Sequence, residues 1–346
     1  MKNNGLVLRL LEENFNVIPR EINATNNTFG SAIYQLFKNG HFENYHLPSK
    51  SYTISCDDGF YLLKIFPKEY SERANTLANV LDYLNTQGIA CPKPVGSVCE
   101  DNHIENHLLL LLKSKKGNFL DNEEVEQCFK KPVLDNFVRL YSQLGKCLYK
   151  TIEYPEIINF SCAKSTIGSI RKTIDQKHKN QFDVKVVAHL NRLERMIDKK
   201  EILDTNEFSW GKKQLIHGDY TFHNIAWNKN FTHIKEITDF DMLQVGSMAL
   251  EASLSAEHLF GYSTKNYFEF IENTKRRLYV PHEDMLQIPE AHLTHKALNL
   301  IVLKLAYLTN NKMYSSLQGY LNKEMSLVQN IVKNRDQLKE KISNLK

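Results

Sequence analysis

QLIHGDYTFHNIAWN (214–228) and HIKEITDFDML (233–243) are two short apolar stretches that also carry polar residues, in a half of the chain whose pattern is otherwise helical. Short continuous apolar runs bounded by turn residues are typical of buried strands. In both stretches, polar residues follow the apolar run at the point where such a strand would end. We therefore interpret the two stretches as strands that carry a functional site.

The first stretch places Asp219 and Asn224 five positions apart, on a loop after its apolar run. Protein kinases have this spacing in their catalytic loop, where the aspartate is the base and the asparagine binds magnesium. A carboxylate within hydrogen-bond reach can aim an attacking hydroxyl and take its proton. An amide oxygen is a hard Mg²⁺ ligand that adds no negative charge. The spacing indicates phosphoryl transfer to a hydroxyl group.

The second stretch supplies two carboxylates, Asp239 and Asp241, directly after its apolar run. Proteins usually hold Mg²⁺ through one or two carboxylates together with substrate phosphates, and Asp239 is in position to be one of them. Taken alone, an HGD, an Asn or a DFD is more typical of a turn. The three occur here in order, each after a strand and with Asp239 20 positions beyond Asp219, which favours one shared site.

HGDYTFHN together with ITDFD resembles the aminoglycoside phosphotransferase and choline kinase group of small-molecule kinases, over roughly residues 40–260. The resemblance implies that Asp219 is the catalytic base and that Asn224 and Asp239 hold magnesium. It also implies a second acidic position, with a more distant assisting role, for Asp241.

The same resemblance implies an α+β, protein-kinase-like fold of two lobes. A small, β-rich nucleotide-binding lobe would span residues 1–113, and a larger, mainly helical catalytic and acceptor-binding lobe would span residues 114–346. The loop ending Phe222-His223-Asn224 is similar to spore-coat-associated members of the family, and so is the segment 62–92.

The hydrophobic pattern along the chain agrees with this division. Before residue 114 it predicts a short helix over 6–14, strands over 31–37, 51–58, 60–66 and 107–113, and a helix through Leu77, Val80, Leu81 and Leu84. Asp57-Asp58-Gly59 predicts a hairpin turn between two of those strands, because glycine tolerates positive φ. After residue 114 helical spacing dominates, as over 137–149, 186–197 and 321–345.

Lys64 lies on the predicted strand FYLLKIF (60–66). By itself such a lysine is most often solvated, but in kinases a strand lysine contacts the α and β phosphates of the nucleotide. The resemblance therefore implies a nucleotide contact for Lys64. The strand over 107–113 would lead into the hinge between the lobes, where the predicted adenine contacts are backbone groups of Leu112, Lys113 and Ser114.

One departure from the family's pattern concerns the partner of Lys64. Kinases pair the strand lysine with a glutamate on the following helix. The facing positions of this helix are not acidic; they are Asn75, Ala78 and Asn79. Glu72 and Asp82 remain as alternative partners.

Further departures concern the phosphate loop and the loop-bracing groups. The segment that should cover the phosphates contains no glycine, so Ser49, Ser51 and backbone amides are the predicted phosphate contacts. Glu251 occupies the place of a buried structural acid that follows the metal aspartate in the family. His217 is predicted to brace the catalytic loop.

Composition excludes several classes of protein. The chain has 346 residues and a formal net charge of +4. Charges of both signs are interleaved, which argues against a nucleic-acid partner. No apolar run approaches the roughly 20 residues of a membrane-spanning helix, and the first residues lack a secretory pattern. We therefore expect a cytoplasmic protein with no membrane partner.

These observations predict an ATP-dependent phosphotransferase, with GTP as the alternative donor and Mg²⁺ as the cofactor. Its acceptor would be a hydroxyl group of an aminoglycoside-, choline- or sugar-like small molecule. The alternative is a kinase-like binding or structural protein, for example a spore coat component, with weak or no catalysis. The missing glycines favour the alternative. Asp219 and Asp239 oppose it, because clustered acids repel one another without a metal.

Overall fold

The computed structural model describes residues 2–24, 29–38, 40, 47–101, 103–120, 127–148, 160–176, 179–202, 211, 213–309 and 314–345. Its strands are β1 (Glu21–Ala24), β2 (Lys50–Cys56), β3 (Gly59–Pro67), β4 (Lys93–Pro94), β5 (Cys99–Glu100), β6 (His107–Ser114), β7 (Lys213–Ile216), β8 (Ile225–Trp227), β9 (Ile234–Ile237) and β10 (Gln244–Ser247). Its helices are α1 (Lys2–Phe15), α2 (Phe29–Lys38), α3 (Ser71–Thr86), α4 (Gln127–Leu144), α5 (Phe160–Asp175), α6 (Gln181–Asp198), α7 (Met248–Phe260), α8 (Lys265–Leu278), α9 (His282–Leu286), α10 (Ile288–Leu298), α11 (Ile301–Tyr307) and α12 (Tyr314–Ser343).

An antiparallel sheet forms the N-terminal part of the molecule, with the strand order β1-β2-β3-β6-β4 and β5 also paired to β6. The predicted hairpin turn joins β2 to β3, where Cys56 pairs with Gly59. In this register Lys64 on β3 lies between Ser51 on β2 and Leu110 on β6. The sheet therefore fixes Lys64 in a central strand.

The two faces of this sheet pack against different helices, because side chains alternate along a strand. One face carries Leu63, Ile65, Leu109 and Leu111, which cluster with Val7, Leu10 and Leu11 of α1. The other face carries Phe66, Leu108, Leu110 and Leu112, which cluster with Leu77, Val80 and Leu81 of α3. Lys64 shares the second face, which is the one turned toward the helical part of the chain.

The strand predicted over residues 31–37 is wrong, because this segment lies in helix α2. Ile33 and Leu36 are fully buried in a cluster with apolar residues of α5, α6 and α11. Phe37 packs edge-on against Tyr70, with ring centroids 5.7 Å apart. The alternating apolar residues of this segment also include a pair at i, i+3 spacing, Ile33 and Leu36, which fits a helix. Packing against other helices selects the helical period.

The rest of the described chain is mainly helical and holds two small antiparallel sheets, β10–β7 and β8–β9. Asn118, just beyond β6, pairs with Trp227 of β8 and so ties the N-terminal sheet region to the second small sheet. A sheet-rich N-terminal region followed by a helical region confirms the α+β prediction. Among the helices described, none is long and apolar enough to cross a bilayer.

Candidate active site

The two small sheets bring the loops of the two motif stretches side by side. Thr238, which follows β9, donates its backbone N–H to the backbone oxygen of Asn224 at 2.9 Å. His217, which follows β7, lies 3.0 Å through Nε2 from the backbone oxygen of Thr238. The loop after β7 and the loop after β9 are thus bonded directly to one another.

Asn224 holds the carboxylate of Asp219. Its Nδ2 donates to Asp219 Oδ2 at 2.8 Å and to the Asp219 backbone oxygen at 2.9 Å. Because the amide nitrogen is used in this way, Oδ1 of Asn224 is the atom that remains to accept a hydrogen bond or bind a cation. Burial, followed by the negative charge of Asp239, raises the pKa of Asp219 to about 7.

His217 is fully buried between the loops and uses both ring nitrogens. Nδ1 accepts the backbone N–H of Asp219 at 3.2 Å, so the proton lies on Nε2, which donates to Thr238. Burial lowers the pKa of His217 to about 4, which keeps the ring neutral. The side chain therefore fixes the backbone of Asp219 relative to the second loop without adding charge.

Glu251 supports the same loop from α7. Its buried carboxylate accepts a hydrogen bond from the hydroxyl of Tyr141 and another, at 3.1 Å, from the backbone N–H of Gly218. Gly218 has φ +81°, and a Cβ there would lie 2.9 Å from Cβ of Met242 and closer still to the Met242 backbone oxygen. Only glycine fits this close approach, which brings the β7 loop against the segment after Asp239.

Lys64 reaches these loops from the N-terminal sheet. Its Nζ lies 2.5 Å from Oδ1 of Asp241 and 3.8 Å from Oδ1 of Asp239. Burial alone would lower the pKa of Lys64, but the two carboxylates outweigh it and raise the pKa. Asp241 and Asp239 are thus the acids paired with Lys64, whereas Glu72 and Asp82 are exposed on α3.

Asp241 is the point where several elements of the molecule meet. Its Oδ2 accepts the hydroxyl of Ser49 at 3.2 Å, and its backbone oxygen accepts Nη2 of Arg73 at 3.4 Å. The Ser49 hydroxyl also lies 3.4 Å from that of Ser51. The two predicted phosphate contacts, Ser49 and Ser51, therefore lie beside Lys64. Arg73, which the sequence did not indicate, contacts the same aspartate.

The chemistry of the donor set fits Mg²⁺. Asp239 has a half-exposed carboxylate and lies in the left-handed region at φ 59°, ψ 63°, a conformation that costs about 1–2 kcal/mol. Within the part of the chain that the structure describes, no three His, Cys, Asp or Glu side chains form a metal site. One carboxylate and the Asn224 amide oxygen form a sparse, hard-oxygen set, the kind that Mg²⁺ completes with water and phosphates.

The predicted hinge lies at the end of β6, where its three residues have different surroundings. Leu112 is buried on the face shared with Lys64. Lys113 points to the opposite face, where its Nζ lies 2.9 Å from Asp58. Ser114 donates its hydroxyl to the buried carboxylate of Glu236, which also accepts the Lys115 backbone N–H at 3.0 Å. Glu236 was missed in the sequence, where its only signal is an acid inside an apolar strand.

A buried ion pair lies on the other side of Asp219, in the helical region. Nζ of Lys296 on α10 is 2.6 Å from Oε2 of Glu257 on α7 and 3.4 Å from Oε1 of Glu324 on α12. The charge of Lys296 is close enough to lower the pKa of Asp219 in part. The sequence did not indicate these contacts, because Lys296, Glu257 and Glu324 come from three helices that are distant along the chain.

The chain is similar in sequence and in fold to known proteins. The model of the phosphotransferase enzyme family matches residues 48–267. A comparison with curated proteins gives no match. The chain is similar in structure to spectinomycin phosphotransferase in complex with ADP and spectinomycin, with 12% identity, a TM-score of 0.56, and 96% of this chain and 98% of that chain covered.

Two further solved structures have a similar fold. One is a choline kinase from Streptococcus pneumoniae, with 10% identity, a TM-score of 0.56, and 97% of this chain and 100% of that chain covered. The other is a microcompartment-associated aminopropanol kinase, with 13% identity, a TM-score of 0.54, and 91% and 99% covered. At these identities the likeness shows the fold, and it confirms the prediction of a kinase-like architecture with a β-rich and a helical lobe.

Proposed function

Since the chain belongs to the phosphotransferase enzyme family, we propose that it transfers the γ-phosphoryl group of ATP to a hydroxyl group of a small molecule. GTP is the alternative donor, and Mg²⁺ is the proposed cofactor. The observation that carries the proposal is the meeting of Asp219, Asn224, Asp239 and Lys64 across two bonded loops and one strand.

In this proposal Asp219 orients the acceptor hydroxyl and takes its proton. Burial raises the pKa of Asp219, which suits this role, because a general base works best when its pKa lies near the working pH. Asn224 holds one carboxylate oxygen of Asp219 through Nδ2, so the other oxygen faces the acceptor. The bond between the Asp219 N–H and His217 fixes the backbone from which this carboxylate extends.

Lys64 and the serines would receive the nucleotide. The ammonium group of Lys64 is held by Asp241 and directed toward Asp239, where it can contact phosphate oxygens. Asn224 and Asp239 would hold Mg²⁺, which supplies neutralisation of phosphate charge when bound. The pairing of Asp241 with Lys64 and Ser49 supports a positioning role for Asp241, rather than a place among the metal ligands.

The nucleotide-binding part over 1–113, the catalytic and acceptor-binding part over 114–346 and the cytoplasmic location stay predictions. Contacts of Leu112, Lys113 and Ser114 with adenine also stay a prediction: Lys113 and Ser114 use their side chains on Asp58 and Glu236, and the backbones of Leu112 and Lys113 are paired with both β3 and β4. We expect the acceptor to lie on the helical side of Asp219, near Lys296 and Glu257.

The test compares Asp219→Asn with Asp336→Asn, a control at an exposed position on α12. ADP release is measured with a panel of aminoglycosides, amino alcohols and sugars. We expect Asp219→Asn to lower turnover by about 10² or more and the control to leave it unchanged. In both variants, nucleotide at about 100 times its dissociation constant should still stabilise the fold by roughly 2.7 kcal/mol.

Two results would overturn the proposal. Turnover of Asp219→Asn at the wild-type rate would remove the role given to this carboxylate. The absence of any thermal shift with ATP or GTP and Mg²⁺, in a folded wild-type protein, would favour the binding or structural alternative.

A further inference from the structure

A groove lies between α6 and α12, in a part of the helical region that the proposed reaction does not use. It encloses about 280 Å³ and is lined by Lys185, Ala188, His189, Arg192, Asn322, Met325, Ser326 and Gln329. We call it the α6–α12 groove. Its volume is close to the lower end of ligand pockets, about 300 Å³, so a ligand there would be small.

The two helices are bonded to one another at the start of α6 and just beyond its end. At one end Tyr314 donates its hydroxyl to Asp183 at 2.8 Å, and at the other Nη1 of Arg335 lies 3.4 Å from the backbone oxygen of Glu201. The helices therefore run side by side in the same direction. Ala188 leaves the space between them open.

The polar residues of the groove come from one face of each helix. Lys185, His189 and Arg192 follow one another at steps of four and three residues on α6, which places them on the same face. Asn322, Ser326 and Gln329 have the same spacing on α12. The two rows face each other and provide ammonium, guanidinium and amide donors along a single slot, whereas the Ser326 hydroxyl already donates to the Asn322 backbone oxygen at 2.8 Å.

The charge of the groove is positive and is not compensated by its lining. Among the described residues, Lys185 and Arg192 have no ion-pair partner, and the lining contains no acid. The nearest acids of these helices are engaged elsewhere: Asp183 with Tyr307 and Tyr314, Glu194 with Arg171, and Glu324 with Lys296. An anion entering the groove would therefore meet two cations and no carboxylate.

In the part of the chain that the structure describes, His189 adds a buried nitrogen without a partner beside the groove. Its side chain lines the groove and is only 8% exposed, yet Nδ1 has no hydrogen-bond partner within the described ranges. A buried polar atom without a partner costs free energy.

We propose that the α6–α12 groove binds a small molecule that carries a phosphate group, held by Lys185 and Arg192 and by the amide donors of Asn322 and Gln329 on α12. Charge-assisted bonds from lysine and arginine are the strong contacts that phosphate oxygens form. The size of the groove fits a free phosphate ion or a small phosphate monoester. This site is separate from the proposed nucleotide site and does not depend on it.

The test is titration calorimetry of the full chain with inorganic phosphate, glycerol 3-phosphate and, as the uncharged control, glycerol. A non-hydrolysable ATP analogue and Mg²⁺ are present at saturation, so that the proposed nucleotide site is occupied. Should the chain bind no nucleotide, the titration is run without it. Phosphate binding in the groove can then be confirmed even if the proposed function is wrong.

We expect binding of phosphate or its ester and no binding of glycerol. Tighter binding of the ester would identify a phosphorylated metabolite, and tighter binding of inorganic phosphate the free ion. The variant Lys185→Gln/Arg192→Gln should bind about a hundredfold more weakly, because each of the two lost charge-assisted bonds lowers affinity by about tenfold. The control Lys93→Gln/Lys339→Gln, two exposed lysines outside the groove, should bind as the wild type does.

Circular dichroism melting of each variant establishes that it is folded. The proposal is overturned if no phosphate compound binds the wild type. It is also overturned if the folded Lys185→Gln/Arg192→Gln variant binds phosphate as tightly as the wild type.

Discussion

Replacing Asp241 by asparagine should destabilise the fold by leaving Lys64 without its main partner. The two residues are 3% and 7% exposed, and the ammonium nitrogen lies 2.5 Å from Asp241 Oδ1. Removing one member of a buried ion pair costs about 3–5 kcal/mol, because the other charge stays buried. Asp239 remains 3.8 Å from Nζ, so we expect the lower end, about 3 kcal/mol.

The assay is urea unfolding of Asp241→Asn, Lys64→Met and the double variant, all at the same pH. Because the double variant leaves no uncompensated charge, it should cost less than the sum of the single variants by about 2 kcal/mol or more. Asp58→Asn and Lys113→Met form the control cycle. That pair is 2.9 Å apart but exposed, and we expect little coupling there.

Additive effects of Asp241→Asn and Lys64→Met would refute this reasoning. They would show that the two side chains do not stabilise one another. The role of Asp241 as the group that positions Lys64 would then be lost, whatever the activity of the variants.

Three further outcomes follow from the structure. Gly218→Ala should lower the free energy of unfolding in urea by at least about 2 kcal/mol, because alanine at φ +81° is strained and its Cβ meets Met242. The control Gly319→Ala, with open space around it, should cost nothing. Equal effects of the two variants would contradict the close approach of Gly218 to Met242. Asn224→Ala should lower turnover about 10²-fold in a kinetic assay with the preferred acceptor, because Asp219 loses the hydrogen bond that orients it; an unchanged rate would show that this bond is not used. Burial lowers the pKa of His295 to about 3, so the unfolded chain binds its proton first as the pH falls below 6.5. Between pH 6 and pH 4 the free energy of unfolding of His295→Gln should therefore fall by about 1 kcal/mol less per pH unit than that of the wild type. Parallel curves of unfolding free energy against pH would contradict this.

Local sequence signals predicted the parts of the fold that depend on neighbours along the chain. Asp57-Asp58-Gly59 predicted the β2–β3 hairpin, because a tight turn needs a residue tolerant of unusual φ. The apolar run of β6 predicted a strand buried on both faces, and helical spacing predicted α3. The segment 31–37 was misread because seven residues fit both periods, and contacts with distant helices decide between them.

Contacts between residues that are distant along the chain also limited what the sequence could predict about the site. The motif residues on adjacent loops were found together in the sequence, whereas several of their long-range contacts were not. The acid paired with Lys64 could not be chosen from α3, since Asp241 lies 177 positions away and is brought to Lys64 only by the packing of the two regions. Glu236 and the Lys296–Glu257 pair carry no local motif, because an acid in a strand or a lysine in a helix is ordinarily a surface residue.

The most direct test of the account is the Mg²⁺ dependence of nucleotide affinity, measured by titration with a non-hydrolysable ATP analogue. We expect Mg²⁺ to tighten binding by the wild type and by Asp336→Ala, and to have little effect on Asp239→Ala. Equal nucleotide affinity with and without Mg²⁺ in the wild type would contradict the assignment of Asn224 and Asp239 to a divalent ion beside the triphosphate.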